Sequence, residues 1–315
     1  MKNIYSNIYS FNKKILKKTI KSLNQGNIAG LPTETVYGLA GNAYSVKAVK
    51  KIFNLKKRPK FNPLIVHYDN IKDAKKDVFL NDNFFRLYKK YCPGPITFVL
   101  KKKKDSKISS FATANLKTVA IRFPNHKIIK SILRSVDFPL AMPSANLSSG
   151  LSSVQASDVF DEFKKKINII IDGGKSKIGI ESTVVDLTNK PKILRQGIIN
   201  VQEITDILKI NLLKNISNIK SPGMLKKHYS PGIPVILNIR PRRLDHAFIV
   251  YGRKFKDRKN YFNLSKKGDL KEAAANLYKT MRKIKKMGYK KIYISKIPKK
   301  GIGLAINDRI KRASR

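Results

Sequence analysis

Between Ile28 and His67 the chain orders a short apolar run, a turn of small polar residues, a helical stripe, two cations locked by prolines and a second apolar run. Few folds accommodate that order. Ile28 to Leu31 predicts a short strand running into Pro32-Thr33-Glu34-Thr35-Val36-Tyr37-Gly38-Leu39. Ser45 is placed to cap a helix that carries Val46, Val49 and Phe53 on one face. That helix must end near Lys56, because Pro59 biases Arg58 out of the helical region. Pro63 then leads into a strand at Leu64–His67. The pattern puts Lys56 and Arg58 at a helix exit on proline-fixed backbone. Hydroxyls and His67 would orient one small polar ligand, and the two cations would grip a phosphate beside it.

Further strands are predicted at Ile96–Lys101, Val119–Phe123, Leu140–Met142, Asn168–Asp172 and Val184–Leu187. Helices are predicted at 12–25, 83–91, 126–136, 156–165 and 201–209. Helix-linked and hairpin-like neighbours together argue for an α/β domain on a mixed twisted sheet, not a doubly wound parallel one. The composition breaks between Lys220 and Pro234, where Ser221-Pro222-Gly223-Met224 and His228-Tyr229-Ser230-Pro231-Gly232 read as an extended linker. Beyond it a smaller α/β unit is expected. Its strands fall at 234–239, 247–251 and 291–295, with a helix carrying Leu270, Ala274, Leu277, Met281 and Ile284 on one stripe and a last helix near Gly303. The expected division is 1–220, a linker at 221–233, and 234–315.

Composition excludes several classes. Apolar residues make up 42% of the 315, enough for a core, yet the longest apolar runs, such as Ile96-Thr97-Phe98-Val99-Leu100, fall far short of the ~20 residues of a membrane span. Met1-Lys2-Asn3-Ile4-Tyr5 lacks the pattern of a secretory signal. Cys92 is the single cysteine, so no intrachain disulfide or cysteine-based zinc site forms, which fits a reducing cytoplasm. A net charge of +47 would gather polyanions around the chain. Its lysines, however, spread over solvent-facing helix positions such as Lys13, Lys14, Lys17 and Lys18. That is a compositional drift more than a built recognition face, and it implies weak RNA affinity at most.

Three further segments bear chemistry. Ser144-Ala145-Asn146 follows a strand, and alternation on an extended backbone would put Ser144 and Asn146 on one face. Asp172-Gly173-Gly174, Glu181-Ser182-Thr183-Val184-Val185-Asp186 and Leu194-Arg195-Gln196-Gly197 follow in turn, and Arg122 adds a cation at a buried strand edge. Gly174-Lys175-Ser176 imitates the end of a phosphate loop, but the first glycine of that motif would fall on Ile169, so the reading fails. His67, His126, His228 and His246 are dispersed without metal-ligand spacing, and no serine–histidine–aspartate set follows from the sequence. A site without a nucleophile of its own can still catalyse by positioning and charge neutralisation.

Together, PTETVYGL, KxRP, PLIVH, PSAN, DGG, ESTVVD and LRxG resemble the YrdC-type domain of threonylcarbamoyl-AMP synthases, and the SPGMxxxHYSP linker and Gly303-Leu304-Ala305-Ile306-Asn307-Asp308-Arg309 resemble the long, two-domain form. An extra residue precedes Gly150, and Val154 stands where a threonine is common. The resemblance implies a YrdC-like catalytic domain with a Rossmann-like C-terminal domain. It also implies a cytoplasmic nucleotidyltransferase that joins L-threonine, bicarbonate or CO2 and ATP, with Mg2+ accompanying the ATP. The product would pass to a tRNA threonylcarbamoyltransferase complex. By matching motif positions, it implies catalytic roles for Lys56 and Arg58. Thr35, His67, Arg122, Ser144 and Ser182 would surround threonine. Arg58, Asn62, Thr118, Asn146, Ser152, Val154, Arg195 and Tyr229 would approach ATP, and the linker would cover the cleft. Two rivals remain: a carbamoyl-adenylate-forming enzyme and a noncatalytic double-stranded-RNA-binding protein.

Overall fold

The structure, a computed structural model, describes residues 6–209, 228–241 and 243–315. Strands β1 (Ile8–Ser10), β2 (Ala29–Leu31), β3 (Gly38–Asn42), β4 (Ile65–His67), β5 (Ile96–Lys101), β6 (Thr118–Arg122), β7 (Leu140–Ala141), β8 (Ile170–Asp172), β9 (Thr183–Asp186) and β10 (Lys192–Arg195) build one sheet. Their order is β1-β8-β2-β3-β7-β4-β6-β5-β9-β10, with parallel and antiparallel pairs mixed. A second sheet, β11 (Val235–Leu237), β12 (His246–Val250), β13 (Tyr261–Asn263) and β14 (Lys291–Ile294), is parallel throughout in the order β11-β14-β12-β13. Helices α1 (Lys13–Asn24), α2 (Val46–Lys56), α3 (Ile71–Ala74), α4 (Asp82–Tyr91), α5 (Ser110–Thr113), α6 (Lys127–Leu133), α7 (Ala156–Phe163) and α8 (Val201–Leu208) belong to the first unit. Helices α9 (Leu270–Lys286) and α10 (Ile302–Ala313) belong to the second. The expected mixed twisted sheet with a smaller α/β unit is what the chain forms. Of the expected linker, 221–227 lies outside the described residues.

Strand alternation sorts the core. Leu64, Val66, Phe98, Leu100, Val119, Ile121, Phe123 and Val185 pack together on one side of the central strands. Ile65, Val99, Ala120, Val184 and Leu194 form a small cluster apart from them. Residues two apart share a face, so His67, Arg122, Thr97 and Ser182 fall on the side of that smaller cluster. Polar groups thus gather on the face opposite the larger apolar cluster.

The helix before the cations forms as its sequence dictates. Ser45 Oγ accepts from Ala48 N at 3.2 Å, and α2 ends with Lys57 in the left-handed region at φ 50°. Four strands were not anticipated. β1, β10 and β13 are edge strands of three or four residues, too short to show a period. β3 reads Gly-Leu-Ala-Gly-Asn, glycine-rich and without alternation. Its glycines answer to packing: a Cβ on Gly38 would lie 2.3 Å from Met142 Cγ.

The two units share a core. Val36, Leu151, Val154 and Ile180 from the first pack with Tyr229, Ala273, Ala274, Leu277 and Tyr278. Gly179, at φ +77°, brings its backbone so near α9 that a Cβ there would lie 2.5 Å from Ala275 Cα. Arg282 Nη1 on α9 donates to Glu162 Oε1 of α7 at 2.9 Å, and Lys286 Nζ donates to Asp161 Oδ2.

Candidate active site

A cleft with about 510 Å3 of empty space, its open mouth included, lies where the first unit meets the second. Its floor comes from strands that are neighbours in the sheet: Gly38 of β3, Met142, Pro143 and Ser144 just after β7, Ile65 and His67 of β4, and Arg122 of β6. His67 and Arg122 are register partners, so parallel pairing places them side by side on one face. Thr33, Val36 and Tyr37 form one wall, Arg58, Glu181 and Arg195 another, and His228 and Tyr229 close it from the linker.

The turn at 33–37 is held from within and without. Thr33 Oγ1 donates to Val36 O at 2.6 Å and lies 2.9 Å from Thr35 Oγ1, while Tyr37 OH accepts from Gly173 N at 3.0 Å and donates to Gly174 O at 2.7 Å. Arg122 Nη2 donates to Glu34 Oε1 at 2.7 Å, both side chains buried. Burial, with the Arg122 charge alongside, lowers His67 to about 3, so its imidazole is neutral.

The cations of the helix exit are pinned by neutral groups. Lys56, fully buried, donates from Nζ to Ser144 O at 2.6 Å and to Asn146 O. Burial and then the Arg58 charge push its ammonium well below the usual lysine range. Arg58 donates from Nε to Asn62 O at 2.9 Å and from Nη2 to Asn62 Oδ1 at 2.7 Å and Pro63 O at 2.8 Å. Burial, then Arg195, lowers it to about 9, and it remains a cation at neutral pH. Arg195 reaches the cleft through a β-bulge: Ile193 pairs Val185 and Arg195 pairs Val184, leaving Leu194 as the extra residue. Arg195 then donates from Nε to Ser182 O and from Nη2 to Ser182 Oγ, both at 3.0 Å. Ser182 Oγ also lies 2.7 Å from Thr97 Oγ1.

Glu181 is the knot between the units. It takes Ser152 Oγ on Oε1, Tyr278 OH at 3.1 Å on Oε2, and Arg309 Nε at 3.2 Å on Oε2. Burial alone would raise this carboxyl, but Arg309, then Arg195 and the Ser152 hydrogen bond, bring it down to about 2. Tyr229 stacks on Tyr278 with ring centroids 5.7 Å apart, meets His228 edge-on at 4.1 Å, and lies under the Arg309 guanidinium at 5.4 Å. Its φ of 63° is an outlier for an aromatic residue, the kind of strain that gathers at functional sites. Burial, opposed by Glu181 and reinforced by Arg58, Lys56 and Arg195, lowers His228 to about 3.

Several buried polar atoms here have no hydrogen-bond partner: Glu34 Oε2, Asn62 Nδ2, Arg122 Nε, Asn146 Oδ1, His228 Nδ1 and Tyr229 OH. Native interiors rarely tolerate so many together. A polar ligand in the cleft would meet those of Arg122, His228 and Tyr229, which line it.

Of the residues singled out from sequence, Arg58, His67, Arg122, Ser144, Arg195 and Tyr229 line the cleft. Asn62 and Ser182 sit behind it, bound to Arg58 and Arg195. Thr35 is buried against Thr33, and Ser152 is tied to Glu181. Asn146 donates to Leu147 O and Gly150 O, and it does not share the cleft with Ser144. Val154 lies in the core shared by the two units. Thr118 opens β6, about 13 Å from Arg122 at the usual strand rise. Thr33, Tyr37, Glu181 and His228 line the cleft without having been given roles; their motifs were recognised, but nothing local tells which residue of a motif faces inward.

The family model described as "Telomere recombination" (Sua5/YciO/YrdC) matches residues 21–197, and the one described as "Threonylcarbamoyl-AMP synthase, C-terminal domain" matches 199–315. The chain is 35% identical to the threonylcarbamoyl-AMP synthase of Pyrococcus abyssi, over 93% of this chain and 92% of that protein. It is 34% identical to that of Bacillus subtilis, over 93% and 90%. The crystal structure of P. abyssi Sua5 complexed with L-threonine superposes with a TM-score of 0.88 at 33% identity, covering 98% of this chain and 97% of that one. This chain belongs to the threonylcarbamoyl-AMP synthase family.

Proposed function

We propose that this member of the threonylcarbamoyl-AMP synthase family joins L-threonine, bicarbonate or CO2, and ATP in the cleft beneath Tyr229. The observation that carries the reading is the composition of the cleft. Arg58 and Arg195 face it as cations, a neutral His67 stands beside Arg122, and partnerless buried polar atoms surround them. Such a site suits an amino acid next to a polyphosphate.

The deprotonated threonine amine adds to the carbon of CO2, and the nitrogen gives up a proton to solvent as the carbamate forms. A carbamate oxygen attacks the α-phosphorus, the bond to the β-phosphate oxygen breaks, and pyrophosphate leaves with the electron pair. Two anions must meet, so the main task is to offset repulsion and hold the in-line geometry. Arg58 lies across the phosphates with the fork of donors that such groups need. Lys56 commits two of its three donors to the Ser144 and Asn146 carbonyls, so it fixes that loop and adds charge from behind. Arg122, already held on one side by Glu34, offers Nε to the threonine carboxylate. His67 and Ser144 lie near the threonine hydroxyl, with Thr35 and Ser182 supporting the walls. Asn62 steadies Arg58 from behind, and Asn146 braces the loop that follows Ser144.

Magnesium enters as part of the MgATP substrate. Glu181 is the one carboxylate among the described residues lining the cleft, and its oxygens already accept from Ser152, Tyr278 and Arg309. The ion is left to phosphate oxygens and water. The product goes to a tRNA-modifying transferase, a role that suits a cytoplasmic protein. None of the described helices is long and apolar enough to cross a membrane. With ATP and magnesium supplied, pyrophosphate release should require both threonine and bicarbonate. Equal release without threonine contradicts the reading.

A further inference from the structure

A single side chain of the second unit touches one wall of the cleft and its cover from behind. Arg309 of α10 is fully buried, although Lys311 two residues on is exposed. Its Nε meets Glu181, which lines the cleft and precedes Ser182. Its Nη1 donates to the carbonyl of Gln196, the residue after Arg195. Its guanidinium plane covers the ring of Tyr229. The other cations that dock α9, Arg282 and Lys286, meet Glu162 and Asp161 on α7, and neither acid lines the cleft.

We infer that Arg309 is a positioning residue for nucleotide binding: it neutralises Glu181 at the cleft wall and seats Tyr229 as the cover. The inference rests on the functional reading above only in naming the nucleotide as ATP. An ionised Glu181 without Arg309 would stand short of counter-charge where a triphosphate must enter. The second domain is thereby part of the binding site, although it contributes no described residue of its own sheet or helices to the cleft lining.

The test is equilibrium binding of MgATP to the full chain between about pH 5.5 and 8.5, the range over which a carboxyl freed of its counter-charge in a buried site titrates. The groups facing Glu181 are Arg309 and Asp308 on α10, Tyr278 on α9, Arg195 on β10, Ser152, and Tyr229 with His228 on the linker. Arg309→Met should weaken binding by tenfold or more, about the worth of one charge-assisted bond. Relative to wild type the loss should grow with pH, as Glu181 ionises. Arg309→Lys should recover part of it. Adding Glu181→Gln to Arg309→Met should remove the pH dependence and return affinity to within about threefold of Glu181→Gln alone, because no unpaired buried charge remains. That double variant also keeps the test open if Arg309→Met alone fails to fold. Arg282→Met, which loosens docking without reaching the cleft, should bind as wild type does.

Unchanged affinity in Arg309→Met overturns the inference. So does a pH-independent loss shared equally by Arg309→Met and Arg282→Met, which would mean that only docking matters. A wild-type chain that binds MgATP but makes no adenylate breaks the functional reading and leaves this comparison standing. A wild-type chain that does not bind MgATP overturns both.

Discussion

The buried cations at the helix exit beside the cleft and the one at the domain seam are held in opposite ways. Lys56 and Arg58 rest on carbonyl oxygens and an amide, and none of their hydrogen bonds goes to a carboxylate. Arg309 rests on Glu181, with Asp308 at 3.4 Å. The consequences run in opposite directions. Burial pushes Lys56 and Arg58 down, whereas at Arg309 the tyrosine and carboxylate neighbours outweigh burial and push it up. Neutral partners fix a cation's position without cancelling its charge, so the helix exit keeps a positive field for anionic substrates. A carboxylate partner cancels the charge and leaves shape. The helix exit is built to bind, and the seam is built to hold.

The sharpest way to break this contrast is Arg58→Ala. Removing one preorganised charge from the helix exit should lower kcat/KM by about 10²–10³, with the fold retained, as steady-state kinetics and circular dichroism will read. A rate within threefold of wild type, a factor worth only about 0.7 kcal/mol, would put the substrate elsewhere. Lys56→Met should cost less in rate but more in stability. It leaves the Ser144 and Asn146 carbonyls without their buried donor, a penalty of about 1–3 kcal/mol in denaturant unfolding. If stability is unchanged, Lys56 is not the anchor of that loop.

At the seam, Gly179→Ala puts a Cβ against the α9 backbone and strains a left-handed φ, and it should cost about 1–3 kcal/mol. It should also weaken MgATP binding without changing the pH at which activity is half-maximal. The smallest effect is electrostatic. His228 is held neutral with its folded value lowered to about 3, so below its ordinary 6.5 the unfolded chain binds the extra proton and stability falls as pH drops towards 3. His228→Gln should therefore flatten the stability curve by about 1 kcal/mol over the first pH unit below 6.5. His67 acts with the same sign in the same window. A curve equally steep in His228→Gln would mean that the imidazole is not buried neutral.

What was legible in the chain was whatever is local. The helix from Ser45 to Lys56 and the turn imposed by Pro59 could be read from propensity and capping, and the long strand at Ile96–Lys101 from its composition. Six of the residues given roles line the cleft because strand alternation and motif order carry them there. The remainder depends on pairing across the chain. Lys56 meets carbonyls 88 and 90 residues away, and Arg309 meets Glu181 across 128. The bulge at Leu194 that aims Arg195 has no sequence signature, because it exists only in register with Val184 and Val185. Edge strands β1, β10 and β13 carry too few residues to show a period.

The central claim is that the cleft assembles a threonine carbamate and transfers AMP to it. Mass spectrometry of the reaction with MgATP, L-threonine and 13C-bicarbonate tests it directly. The account predicts threonylcarbamoyl-AMP one mass unit heavier than with ordinary bicarbonate, lost when threonine is omitted and strongly reduced in Arg58→Ala. An adenylate that forms without threonine, or that lacks the heavy carbon, would contradict it.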